Sequence, residues 1–153
     1  LNIPVRGYIS CVTHCPYENF VNPKIVCQIA KDLFKMGCYE ISLGDTTGKG
    51  TPEQTLEVVK ECLKYLSADK LAGHFHDTYQ NALDNINVCL ENGIKTFDAS
   101  VGGLGGCPYS PGAKGNVATE KVNKLLLSKG YETNLDRDKL KECSVIAQKL
   151  ILN

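Results

Sequence analysis

Cys38-Tyr39-Glu40-Ile41-Ser42-Leu43-Gly44-Asp45-Thr46 is followed, after four more residues, by Thr51-Pro52-Glu53-Gln54. The first stretch reads as a strand over about residues 38–43 that ends in a polar loop. The second opens a helix: Thr51 stands at the cap and Gln54 three residues on, the capping-box pattern. Leu56, Val59, Leu63 and Leu66 give that helix its apolar stripe. Strand, polar loop and amphipathic helix make one unit, and the unit recurs in both directions along the chain.

Upstream, a strand is expected over about residues 6–12. Its helix opens at Asn22-Pro23, a capping asparagine with proline at the first helical position. That helix carries Val26, Ile29, Ala30, Leu33 and Phe34 on one face and stops near Gly37. Downstream, a third strand covers about 70–76, and its helix shows Leu83, Ile86 and Leu90 before Asn92-Gly93 ends it. A fourth strand is expected over about 94–101, then a helix over about 117–128. A last amphipathic helix, about 136–152, carries Leu140, Ala147, Leu150 and Ile151.

Strand starts fall roughly 24 to 33 residues apart, the length of a βαβ unit, which implies a parallel sheet with right-handed crossovers. A Rossmann-type sheet would place Gly-x-Gly-x-x-Gly after its first strand, and that turn is missing. Polar residues instead follow every strand: Cys11 to Cys15, Asp45-Thr46, His74 to Asp77, and Gly102 to Cys107. Chemistry at the C-terminal end of each strand in turn is the TIM-barrel arrangement. The expected fold is therefore α/β, a TIM-barrel-type (βα) repeat of four strands and their helices. It amounts to the C-terminal half of a (β/α)8 barrel plus a C-terminal helix, with residues 1–153 forming a single partial catalytic domain. Four strands leave open edges, so completion by an N-terminal half, or pairing as a homodimer, is expected.

Seventeen basic residues balance 17 acidic ones, which leaves no electrostatic footprint for nucleic acid or an anionic membrane. Apolar runs are far shorter than the ~20 residues a membrane helix needs, and the N-terminus lacks a cleavable signal. A soluble, non-secreted protein is expected. The eight cysteines contain no Cys-x-x-Cys pair, and Cys27, Cys62, Cys89 and Cys143 fall in helical patterns, where cysteine acts as a small buried hydrophobe. Free thiols point to a reducing compartment, the mitochondrial matrix in a eukaryote or otherwise the cytoplasm.

In a strand, residues two apart share a face, so His74 and His76 project together. Two imidazoles can take adjacent positions on a divalent cation, and Asn116 adds an amide oxygen, giving three of about six ligands for Mg2+ or Mn2+. An acidic ligand would have to come from elsewhere. The plain alternative is two solvated loop histidines. Cys107 ends the loop Val101-Gly102-Gly103-Leu104-Gly105-Gly106-Cys107, which bends freely and presents a thiol with little cover; its alternative is a buried small residue. Asp45 either binds substrate or caps its turn. Asp77 supports the histidines or caps a helix, and His14 and Cys15 carry no specific chemistry.

Four stretches resemble the 3-hydroxy-3-methylglutaryl-CoA lyase family: Gly7 to Cys11 with Cys15-Pro16-Tyr17-Glu18; Gly37 to Thr46; His74 to Tyr79; and Gly102 to Tyr109 with Gly115-Asn116 and Ala118-Thr119-Glu120. The glycine-rich cysteine loop is the specific element, whereas His-x-His-Asp is shared with related Claisen-type enzymes. The resemblance implies metal-dependent retro-Claisen cleavage of 3-hydroxy-3-methylglutaryl-CoA to acetyl-CoA and acetoacetate, in leucine degradation and ketone body formation. It implies His74, His76 and Asn116 as metal ligands, His74 as a candidate base, and Cys107 as the catalytic cysteine. The family's Arg-Asp pair on the first barrel strand and its glutamate on the second have no counterpart here. Alternatives are a condensing enzyme similar to isopropylmalate synthase, acting on acyl-CoA and a 2-oxo acid, and a non-catalytic truncated fragment.

Overall fold

Four short strands run parallel, each followed by at least one helix, in a computed structural model that describes residues 2–106 and 115–151. They are β1 (Gly7–Ile9), β4 (Ile41–Asp45), β5 (Leu71–Phe75) and β6 (Thr96–Asp98), hydrogen-bonded in the order β1-β4-β5-β6. A two-stranded antiparallel hairpin, β2 (His14–Cys15) with β3 (Asn19–Phe20), follows β1. Helices α1 (Pro23–Lys35), α2 (Pro52–Leu63) and α3 (Ala82–Glu91) fill the crossovers, and α4 (Thr119–Ser128) and α5 (Arg137–Ile151) come after β6. This is the expected α/β arrangement, part of a TIM barrel.

The helix starts form as their caps dictate. Asn22 Oδ1 accepts the Lys24 N–H at 3.0 Å. At Thr51 the capping box closes both ways, 3.3 Å from the Gln54 N–H to Thr51 Oγ1 and 3.1 Å from the Thr51 N–H to Gln54 Oε1. Both satisfy donors that a helix start leaves orphaned.

The pleat sends alternate side chains to opposite faces. Ile41, Leu43, Leu71 and Phe75 go outward and are buried in one core with Val26, Ala30, Val58, Val59 and Ile86 of the helices. Arg6, Tyr8, Ser42, His74 and Asp98 occupy the other, inner face. Register pairs Tyr8 with Ser42 and His74 with Asp98.

Some elements differ from expectation. β6 is three residues long because the chain turns at Val101–Gly103, where Gly102 adopts φ +67°, a left-handed backbone only glycine takes at no cost. The hairpin was not anticipated, although Pro16 and the positive-φ Asn19 are turn residues. Ile29 and Phe34 are exposed edges of α1 rather than core. α5 turns Ser144 and Ala147 inward and leaves Leu150 64 % exposed. The reason is its partner: α5 packs on the 101–103 turn and α4, not on the apolar sheet face. Cys143 is accordingly exposed, against the buried role expected, whereas Cys27, Cys62 and Cys89 are buried as expected. Cys15, Cys27, Cys38, Cys62, Cys89 and Cys143 are free thiols. Among the described residues no helix is long and apolar enough to cross a membrane.

Candidate active site

His74 lies in β5 and His76 just beyond it, at the C-terminal end of the sheet. Their ring centroids are 5.4 Å apart, tilted by 58°. Residue 116 arrives from a different part of the chain. Segment 115–117 runs antiparallel to 75–77: the Asp77 N–H donates to Gly115 O at 3.0 Å and the Val117 N–H to Phe75 O at 3.1 Å. His76 and Asn116 are thus directly opposed as a non-hydrogen-bonded pair, the arrangement in which facing side chains come closest. Asn116 Nδ2 donates to Leu104 O at 3.0 Å, which leaves the amide oxygen as the group with lone pairs to offer.

His76 is buried, and burial, then the neighbouring His74, pushes its pKa down; a hydrogen bond to the Thr46 carbonyl opposes this. One ring nitrogen is therefore committed as a donor, and the neutral ring keeps a lone pair on the other. That is the form in which imidazole binds a metal. The donor set of two imidazoles and one amide oxygen fits part of a divalent-cation site. Among the described residues no group of three or more His, Cys, Asp or Glu side chains is arranged to hold a metal ion.

A polar network beneath the histidines escaped the sequence reading. Asp98 receives Arg6 Nη1 at 2.6 Å and Ser42 Oγ at 2.9 Å, and His74 Nδ1 lies 3.5 Å from its Oδ2. Arg6 Nε is fixed by Glu40 at 2.6 Å, and its guanidinium sits 4.9 Å over the Tyr8 ring. Burial disfavours the Asp98 charge, but its bonds with His74, Arg6 and Ser42 and the Arg6 charge outweigh that and hold the carboxyl well below the usual range. Arg6 and Asp98 are 92 residues apart, and Asp98 sits in a run that reads simply as strand. Period two within that run carried no signal, because which of its residues shares a face with His74 is set by the register of β5 against β6.

Asp45 is left by the sequence between a substrate contact and a cap of its turn. It is fully buried on the outward side of β4, and its carboxylate accepts from Thr13 Oγ1 at 3.0 Å and the Gly50 N–H at 2.9 Å. A side chain at Gly50 would collide there, with Thr13 Oγ1 2.7 Å from the added carbon. Burial pushes the Asp45 pKa up against those hydrogen bonds. This is the turn-capping alternative, tying the loop after β1 to the β4–α2 loop. Asp77 is also buried and pairs with Lys121 at 2.8 Å. Cys107 lies outside the described residues. The glycine turn leading toward it is anchored by Glu120, whose carboxylate accepts from the Gly102 N–H at 3.1 Å and Ser144 Oγ at 2.6 Å. A cavity of about 790 Å³ opens beside that turn, lined by Gly102 to Gly106, Asn116, Lys121 and Gln148. Asn116 is the group that the cavity and the histidine pair share.

Partial barrel and polar strand ends define a TIM-barrel-type protein with its chemistry at the C-terminal rim. The HMGL-like family model matches residues 6–146, and the chain belongs to the HMGL-like family. It is 50% identical over 144 residues to the hydroxymethylglutaryl-CoA lyase of Pseudomonas mevalonii, covering 94% of this chain and 48% of that protein. The HMG-CoA lyase structure from Brucella melitensis matches with a TM-score of 0.96 at 50% identity, over 99% of this chain and 53% of that one. An HMG-CoA lyase from Acinetobacter baumannii, solved in complex with coenzyme A and 3-methylmalate, matches with a TM-score of 0.84 at 36% identity, over 91% of this chain and 46% of that one. The chain spans about half the length of the curated relatives it matches. Those relatives include proteins named as mitochondrial and as cytoplasmic.

Proposed function

We propose that this chain is part of a 3-hydroxy-3-methylglutaryl-CoA lyase, cleaving that thioester to acetyl-CoA and acetoacetate by a retro-Claisen reaction. The observation that carries the reading is the cross-strand pairing of His76 with Asn116 beside His74, in a chain of the HMGL-like family. Enzymes of this family are generally dependent on a divalent metal. His74, His76 and Asn116 would hold Mg2+ or Mn2+, with an acidic ligand from the rest of the barrel. When bound, the cation supplies Lewis-acid polarisation of the substrate hydroxyl and carboxylate.

Within this chain, His76 offers a neutral imidazole lone pair, and Asn116 offers an uncharged oxygen. A base in this site takes the hydroxyl proton. Cys107 donates a proton to the departing acetyl-CoA carbon. An acyl-CoA substrate accords with the coenzyme A bound to the A. baumannii relative. The remaining half of the barrel, or a second copy, covers the inner sheet face. The protein works in the mitochondrial matrix of a eukaryote or in the cytoplasm otherwise.

In the holoenzyme, His76→Ala is expected to abolish acetoacetate release and Mn2+ binding by calorimetry. Cys107→Ser is expected to lower turnover about 10²–10⁴-fold, the usual contribution of a positioned acid, with Mn2+ binding intact. Undiminished turnover in Cys107→Ser would remove the proton-donor role. Condensation of acetyl-CoA with a 2-oxo acid in place of cleavage would move the chain to the synthases.

A further inference from the structure

A histidine that binds a metal through Nε2 must carry its proton on Nδ1, and an acceptor at Nδ1 both selects that tautomer and sets the ring's direction. The Nδ1 of His74 is buried and makes no hydrogen bond in this structure, and Asp98 Oδ2 stands 3.5 Å from it. We infer that Asp98 is a positioning residue, whose carboxylate accepts the Nδ1–H of His74 and turns Nε2 toward the rim where His76 and Asn116 meet.

Backbone register makes the pairing. His74 and Asp98 are partners across β5 and β6, so their side chains leave the sheet on the same face. The carboxylate itself is held from two directions. Ser42 reaches it from β4, across Ala72, its register partner, which puts only a methyl group on that face. Arg6 reaches it from beside β1, with its own direction fixed by Glu40. Asp98 is therefore a fixed, ionised acceptor rather than a mobile one. Tyr8 meets the His74 ring edge-on at 6.2 Å and bounds its rotation from the other side. An imidazole that found no acceptor would lose the tautomer preference, and with it part of its affinity for a cation.

What occupies Nε2 rests on the function proposed above; the tautomer of His74 does not. The test is long-range 1H–15N NMR of the imidazoles in the metal-free protein, at a pH where both rings are neutral. Native His74 is expected to be the Nδ1–H tautomer. In Asp98→Asn the Nε2–H tautomer should become the major form, and Asp98→Glu should restore the native pattern. His76, fixed by the Thr46 carbonyl, should not change in any of them. Mn2+ affinity in Asp98→Asn is expected to fall about 10–100-fold, the usual effect of losing such a partner. A native His74 protonated on Nε2, or a tautomer unmoved in Asp98→Asn, would overturn the inference. The native spectrum decides the matter alone if Asp98→Asn does not fold. A native Nδ1–H pattern in a protein that neither binds Mn2+ nor cleaves substrate would sink the functional reading and leave this one standing.

Discussion

The two faces of one sheet do different work. Outward, Ile41, Leu43 and Phe75 meet the helices in an apolar core. Inward, Ser42 and Asp98 form a charged hydrogen-bonded network with Arg6, and His74 stands 3.5 Å from Asp98. Alternation of side chains lets three to five consecutive residues serve stability and chemistry at once. The contrast extends to carboxylates. Asp45, outward, has its pKa pushed up by burial, whereas Asp98, inward, is held down by Arg6, Ser42 and His74 despite burial.

The largest expected effect belongs to the outward face. Phe75 is 2 % exposed, and Phe75→Ala should lower unfolding free energy by about 3–5 kcal/mol, read by urea denaturation. A loss under about 1 kcal/mol would mean that the helices do not depend on this contact.

The carboxylates offer the next comparison, in metal-free protein across about pH 3 to 7. Asp98 has a folded pKa below the ordinary ~3.9, so its stabilisation is present above that value and fades as pH falls toward the folded one. Asp45 has a raised folded pKa, so its contribution is present below ~3.9 and fades as pH rises through the raised value. Asp98→Asn should therefore flatten the acid limb of stability against pH, and Asp45→Asn should remove the decline on the rising side. Slopes that change in the same sense would show that the two faces do not differ electrostatically.

The smallest effect lies in the helical layer. Thr51→Ala should cost about 1 kcal/mol by breaking the α2 capping box, while leaving the His74 imidazole spectrum unchanged. A shifted His74 signal would mean that the two faces communicate.

Local and short-range features were legible in the chain. Thr51 with Gln54 and Asn22 with Pro23 announce helix starts through bonds spanning two or three residues, and these bonds form. His74 and His76 share a direction because the pleat has period two. Features that depend on distant partners were not legible. Asp98 becomes part of the site only through Arg6, 92 residues away, and Ser42, 56 away. Asp45 reads equally as a loop-end contact or a turn cap, and only Thr13 and Gly50 show which bonds it makes in the interior. α5 carries an apolar pattern whose inward face turns out to be small residues, because it rests on a glycine turn. At Gly102 a side chain would stand 2.8 Å from the Ala147 methyl carbon, so closeness of backbones, not hydrophobic area, sets that contact.

The antiparallel contact that seats residue 116 against residue 76 is made by main-chain groups. Those bonds fix where residue 116 stands, while its own amide, donating to Leu104 O, fixes which atom it turns outward. An engineer who writes aspartate there would keep the seat but set a carboxylate against that carbonyl. Any retuning of the rim's cation preference at this letter is therefore tied to the glycine turn as well.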